Sequence, residues 1–252
     1  MTFVVAADAY DRFMGRYSSR LAVLFADYGN VRDGVDALDV GCGPGALTVE
    51  LVARLGADAV SAADPSAPFV EALRARMPEV DVRHAPAEEL PFEDGEFDRV
   101  LAQLVVPFMS DPVAGLREMH RVTRPGGLAA ACVWDHAGGT GPLSRFWDVV
   151  HTFDPNAPDE AGLAGATEGE LTTLFGEAGF HEVEEIPLTV QLEHESFDEW
   201  WEPYTFGVGP AGSYVASLAD ADRDALREHC RAALGDGPFT VSASAWSARA
   251  DR

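Results

Sequence analysis

The spacing of apolar side chains changes period repeatedly along this chain. Residues 9–29 carry them at helical spacing, with Leu21, Leu24 and Phe25 on one face, and predict a helix. From Val35 onward, short apolar runs alternate with helical stretches. Val35–Val40, Ala59–Ala63, Val80–His84, Phe97–Leu104 and Leu128–Trp134 read as strands. Ala46–Leu55, Ala67–Arg76 and Val113–Thr123 read as helices between them. This βαβα rhythm predicts a doubly wound α/β architecture, a parallel sheet with helices on both faces.

After Asp135 the rhythm changes. Residues 136–166 are rich in Gly, Pro and Ala and suit a loop with a short helix. Glu168–Ala178 reads as a helix stopped by Gly179, and Val183–Leu192 as a strand. A helical insertion with aromatics runs from Phe197 to Leu234, and Phe239–Ala248 closes the chain as a last strand. No linker divides the chain, so one domain over residues 1–252 is expected. Its core is 35–135, residues 136–237 are an elaboration on the substrate side, and 239–248 form the last strand.

Composition narrows the partners. With 47% hydrophobic residues the chain can bury a substantial core, yet no apolar run is long enough to span a membrane. The segment MTFVVAADAYDRFMGRY lacks the basic start and long apolar stretch of a signal peptide, so a soluble, cytoplasmic protein with no membrane partner is expected. The formal charge of −24, without a basic patch, repels phosphate backbones and argues against nucleic acid. There is no lysine, which excludes the Walker A lysine and lysine Schiff-base chemistry. Cys42, Cys132 and Cys230 are widely spaced, with no metal-ligand spacing, and no metal site is expected. Cys42, inside a glycine loop with no His beside it in sequence, reads as a small side chain that fits rather than as a nucleophile.

The candidate chemistry starts at LDVGCGPGAL, residues 38–47. A strand runs into Gly41, Gly43 and Gly45, and a helix opens behind them. Glycines there allow a tight turn and close backbone approach to a ligand. The same letters satisfy G-x-G-x-x-A, so a nicotinamide dinucleotide stays open on this motif alone. Asp64, after the second strand, is placed to accept both hydroxyls of a ribose. Asp39 sits two residues before Gly41, where a carboxylate suits a cationic ammonium or sulfonium better than a pyrophosphate. Its other reading is an acid that accepts backbone N–H bonds from the loop. The pair of acids favours S-adenosylmethionine, which carries two cationic groups and no phosphate.

Four segments in order carry a resemblance: LDVGCGPGAL (38–47), AADPS (62–66), AEELPFEDGEFDRVLAQLVVPFM (87–109) and LREMHRVTRPGG (116–127). Together they resemble a class I S-adenosylmethionine-dependent methyltransferase of the type 11 (UbiE-like) group over roughly residues 38–134. AYDRFMGRYSSRL (9–21) is also similar to segments that precede the glycine loop in many bacterial members. The resemblance implies a Rossmann-like, seven-stranded, mostly parallel sheet with an antiparallel last strand, an N-terminal helical cap and a helical insertion before that strand. It implies a cofactor site in which Gly41, Cys42 and Gly43 line the methionine moiety and Asp64 and Pro65 the ribose. Ala87 and Glu88 would flank the adenine, and Gln103 would sit under the methionine end beside Asp39. Tyr10 and Arg16 would lie in the cap, Arg16 as partner of the cofactor carboxylate. One position departs: Pro86 stands where related sequences usually have an Asp that accepts the adenine amino group.

The acceptor is less legible. The fourth strand ends in Gln103-Leu-Val-Val-Pro-Phe108, without the Asn/Asp-Pro-Pro-aromatic cluster of relatives that methylate adenine or glutamine nitrogen. Among possible bases His136 comes first, because it follows the fifth strand at the carboxyl edge of the sheet. His151 and His194 come after it. Trp147, Trp200, Trp201 and Tyr204 are candidates for a substrate-pocket wall, or else for a helix face packed on the core. An apolar or aromatic small molecule is the expected acceptor, with S-adenosylhomocysteine as the other product. A non-enzymatic S-adenosylmethionine-binding protein and a nicotinamide-dependent oxidoreductase are the alternatives. The sequence leaves the methylated atom and the oligomeric state open.

Overall fold

The computed structural model describes residues 11–252. A π-helical turn, Asp11–Gly15, leads into α1 (Arg16–Tyr28). The alternation then runs β1 (Ala37–Val40), α2 (Ala46–Leu55), β2 (Val60–Asp64), α3 (Ala67–Arg76), β3 (Asp81–His84), β4 (Phe97–Gln103), α4 (Pro112–Val122) and β5 (Thr123–Trp134). The second half holds α5 (Ser144–Phe153), α6 (Glu170–Ala178), β6 (Glu184–His194), α7 (Phe197–Trp201), α8 (Gly209–Ser217), α9 (Asp220–Leu234) and β7 (Phe239–Asp251).

One sheet orders the strands β3-β2-β1-β4-β5-β7-β6. Strands β1 to β5 pair in parallel, and β7 inserts antiparallel between β5 and β6. The reversed last strand expected from the resemblance is therefore present. The order turns back between β1 and β4, and a doubly wound sheet opens a ligand crevice at such a point, outside the carboxyl ends of its strands.

Successive strand residues feed opposite faces, as the period of two requires. Ala37, Ala62, Leu101, Ala130 and Cys132 pack with Leu21 and Phe25 of α1, Leu47 and Leu51 of α2, and Leu73 of α3. Their neighbours Leu38, Ala63, Val100, Ala102, Ala129 and Ala131 pack on the other face with Leu116 and Met119 of α4 and Phe175 of α6. Alanines on the central strands let helices approach closely, while the leucines and phenylalanines of the helices supply the buried area. Each fully buried Leu or Phe contributes about 1.5–3 kcal/mol. Helix α4 starts sharply because the Asp111 carboxylate accepts a hydrogen bond from Ala114 N at 3.0 Å and Pro112 follows it. No helix among the described residues is long and apolar enough to cross a membrane.

Candidate active site

The turn after β1 is built around backbone that only glycine adopts readily. Gly41 and Gly43 have φ of 70° and 53°. A Cβ on Gly41 would overlap the Val105 side chain, whereas one on Gly43 would meet nothing within 4 Å. Gly41 is therefore demanded by packing, and Gly43 leaves open space for a ligand. The amides of Gly41 and Cys42 donate to Ala63 O at 2.8 and 3.1 Å, which ties the turn to the end of β2.

A cavity of about 540 Å³ lies at this edge, within the range of small-molecule sites. Asp39, Gly41, Cys42, Gly43, Asp64, Pro65, Ala87, Glu88 and Gln103 all line it. The structure thus gathers these candidates from four separate loops. No Arg or His is among the described lining residues. Tyr10 lies outside the described residues.

The two aspartates have different partners. Thr48 of α2 donates its hydroxyl to Asp39 Oδ2 at 2.6 Å, while the backbone N–H of Gly43 goes to Asp64 Oδ2 at 2.8 Å. The loop-amide acceptor is therefore Asp64, not Asp39. Asp64 Oδ1 accepts from Ser66 N at 2.7 Å, so each of its oxygens keeps one lone-pair site for a ribose hydroxyl. Burial pushes the Asp39 carboxyl up to about 7, with the Thr48 hydroxyl pulling back and the Asp64 charge adding to the rise. Asp64 is also raised by burial, against its bonds from Ser66 and Gly43. Burial lifts the Cys42 thiol well above its usual value, which fits a filler and not a nucleophile.

Gln103, at the end of β4, donates to Ser18 O at 3.1 Å, and its buried Oε1 has no hydrogen-bond partner among the described residues. An orphaned acceptor and a buried carboxyl without a cation on one cavity wall suit a positively charged ligand. They disfavour a pyrophosphate. The donor set therefore fits S-adenosylmethionine.

Two cofactor candidates have partners of their own within the protein. Arg16 pairs with Glu199 Oε1 at 2.7 Å and donates to Glu193 O at 3.3 Å. It faces a separate cleft behind the glycine turn, with Gly45, Glu50 and Arg76, rather than the cofactor cavity. Its guanidinium finds a carboxylate on α7, an element distant in sequence. Glu88 spends Oε1 on the amides of Ser110 and Asp111, at 2.6 and 3.1 Å, and so anchors the loop whose Met109 and Ser110 line the cavity. Pro86 stands on the cavity wall with Ala87.

A second, smaller cavity of about 80 Å³ adjoins the first and shares Leu104 and Phe108 with it. His136 lines it, set by the turn in which Asp135 accepts from Gly138 N at 2.8 Å and from Thr140 Oγ1 at 2.6 Å. Burial lowers the His136 imidazole to about 4, although Asp135 and Asp159 raise it, so the ring is neutral at pH 7. The expected aromatic wall sits one layer back. Trp147, Trp200, Trp201 and Tyr204 are buried in the core and line neither cavity. Tyr204 stacks on Phe146 at 4.5 Å and meets Phe13 edge-on at 5.0 Å, and Phe13 is the ring that reaches the cavity. His151 lies beside Asp159 at 3.5 Å, and His194 is hydrogen-bonded to the Tyr17 hydroxyl at 3.2 Å. Neither lines either cavity.

Sequence reasoning missed Thr48, Val105, Leu104 and Glu160. Thr48 could have been found, because it lies one helical step inside α2 beneath the turn. Leu104 has a left-handed φ of 64°, held by its N–H bond to Cys132 O at 2.9 Å, and no local signal announces that in a leucine. Glu160 sits in a loop whose sequence carries no pattern.

A doubly wound sheet of this order, with a nucleoside-sized cavity at its switch point, defines the class I nucleotide-cofactor folds. Comparison with known proteins makes the class specific. Residues 38–131 match the model of a methyltransferase domain family, the type 11 group. A ubiquinone biosynthesis O-methyltransferase of Ruegeria pomeroyi is 42% identical over 99 residues, 38% of this chain and 39% of that protein. An uncharacterized protein of Mycobacterium tuberculosis is 28% identical over 81% of this chain and 77% of its own length. A solved structure of a putative type II methyltransferase from Anaeromyxobacter dehalogenans superposes with a TM-score of 0.66 at 24% identity, covering 91% of this chain and 95% of that one. Against several curated relatives the chain spans about half of their length or less, 47% and 39% in two cases. Residues 38–131 carry a methyltransferase domain of the type 11 group, a family that uses S-adenosylmethionine.

Proposed function

We propose that the whole chain transfers a methyl group from S-adenosylmethionine to a small-molecule acceptor. One observation carries this reading: a single cavity at the β1/β4 switch point combines the glycine turn, two buried carboxyls and the orphaned Gln103 Oε1, with no Arg or His among its described lining residues. Asp39 and Gln103 would hold the cationic methionine end. Asp64 would bind the ribose, and Pro86 and Ala87 would form an apolar wall for the adenine. The bound cofactor supplies a methyl group on a sulfonium, already a good leaving group. The protein's task is then alignment of the acceptor and exclusion of water. The name of the Ruegeria relative supports a small-molecule acceptor. The charge of −24 supports an enzyme that does not act on nucleic acid.

Calorimetric titration with S-adenosylhomocysteine and with NAD tests this reading. The expected result is micromolar binding of S-adenosylhomocysteine by the wild type, its loss in Asp64→Ala, and no binding of NAD. Binding of NAD alone would overturn the proposal.

A further inference from the structure

The smaller cavity differs in character from its neighbour. Its described walls are apolar, from Phe13, Met14 and Leu143 to Val208, and the polar members among the described residues are His136, the Trp134 indole and Glu160. Glu160 is 5% exposed, and its Oε2 has no hydrogen-bond partner among the described residues. A carboxyl held in such surroundings is costly unless something completes it. Among the described residues, the groups around it do not supply a cation. Trp147 offers an indole N–H from α5, Tyr204 lies within electrostatic reach, and Asp159 adds a like charge. The nearby His151 is engaged with Asp159 at 3.5 Å, and His136 is kept neutral by burial. Burial brings Glu160 up to about 7, so it exchanges a proton near neutrality.

We propose that this cavity is the acceptor site, that the acceptor is a compact, uncharged aromatic hydroxyl compound, and that Glu160 takes its proton. The proposal rests on the methyltransferase reading. The acceptor O–H breaks and its proton passes to a Glu160 oxygen. The freed oxygen pair forms the O–CH₃ bond, and the methyl–sulfur pair returns to sulfur as the sulfonium becomes a thioether. Three features select this chemistry. The apolar walls admit a neutral ring and reject a charged one. A carboxylate next to an aliphatic amine would hold the amine protonated and without a nucleophilic lone pair, whereas a hydroxyl needs only a proton acceptor. A phenol ionises near the tyrosine value of about 10, within reach of this base, which an aliphatic alcohol is not. The shared residues Leu104 and Phe108 place the cavity beside the cofactor cavity.

Three isosteric probes test it: phenol, toluene and aniline, titrated by calorimetry into protein saturated with S-adenosylhomocysteine between pH 5.5 and 8.5. In the wild type, phenol affinity should rise with pH as Glu160 ionises, while toluene affinity stays level or falls. Glu160→Gln should bind S-adenosylhomocysteine as before and lose the pH dependence of phenol binding. Transfer of labelled methyl to phenol should fall at least about 100-fold in that variant. Should Glu160→Gln fail to fold, Glu160→Asp replaces it; withdrawing the carboxyl by one methylene should then cut labelled transfer about ten-fold or more. Parallel pH profiles for phenol and toluene, a profile that survives Glu160→Gln, or transfer to aniline in preference to phenol would overturn the inference. If S-adenosylhomocysteine binds and phenol does not, this inference fails alone. If S-adenosylhomocysteine does not bind, the methyltransferase reading fails with it.

Discussion

Asp39 concentrates the energetic conflict of the site in one side chain. Its carboxyl ionises near 7 in the folded chain because burial outweighs the Thr48 hydrogen bond. The native state therefore binds more protons than the unfolded chain between about pH 4 and 7, so stability falls as pH rises through that window. Fully developed above pH 7, the opposition amounts to about 4 kcal/mol. Asp39→Asn should accordingly raise the melting temperature of the ligand-free protein at pH 8 while weakening S-adenosylmethionine binding at least ten-fold. A cationic ligand favours the ionised form, so wild-type binding below pH 7 should release a proton. Calorimetry in two buffers of different ionisation enthalpy reads that release directly. The glycines of the turn separate into two kinds at the same scale. Gly41→Ala collides with Val105 and should destabilise the fold, seen as a lower urea midpoint. Gly43→Ala meets no atom but carries left-handed backbone at φ 53°, a strain of about 1–2 kcal/mol, and should act mainly by intruding on the cofactor. Asp39, Asp64 and the glycines were legible because a strand, a turn and the start of a helix are contiguous in sequence. Thr48, which holds Asp39, was within reach of the same reasoning, since it lies in the first turn of α2 beneath the loop.

At the scale of elements, the strands and most helices were readable from the period of the apolar positions. The differences have local causes. Strand β5 begins at Thr123, five residues before the expected Leu128, because Thr123 pairs with Phe97 and the amide of Arg252 donates to Gly127 O at the sheet's edge. The N-terminal helix is α-helical only from Arg16, after a π-helical turn. The helix at Ser144–Phe153 fits the short helix expected in the glycine-rich segment. Its Phe146 and Trp147 join α7 and the following turn in one aromatic cluster. That cluster supports the walls of the small cavity from behind and does not form its lining. Tyr204→Ala should therefore lower stability by about 3–5 kcal/mol in urea unfolding. S-adenosylhomocysteine affinity of the folded fraction should change less than three-fold.

The whole molecule sets the electrostatic background. A formal charge of −24 attracts a ligand with net positive charge and repels anions. S-adenosylmethionine carries one net positive charge and S-adenosylhomocysteine none. Raising the ionic strength from 0.05 to 0.5 M should therefore weaken binding of the first more than that of the second, measured by parallel titrations. The sequence alone determined the alternating sheet, the glycine turn, the paired acids and the acidic balance. Each depends on periodicity, on backbone conformation over a few residues, or on a sum over the chain. The tertiary structure alone decided that Arg16 pairs with Glu199, and that the tryptophans stand behind the cavity. It also brought Glu160 and His136 to one apolar space with Phe13 and Val208. The physical reason is distance along the chain. These side chains come from segments as far apart as residues 13 and 208, and only the packing of helices on both faces of the sheet brings them together.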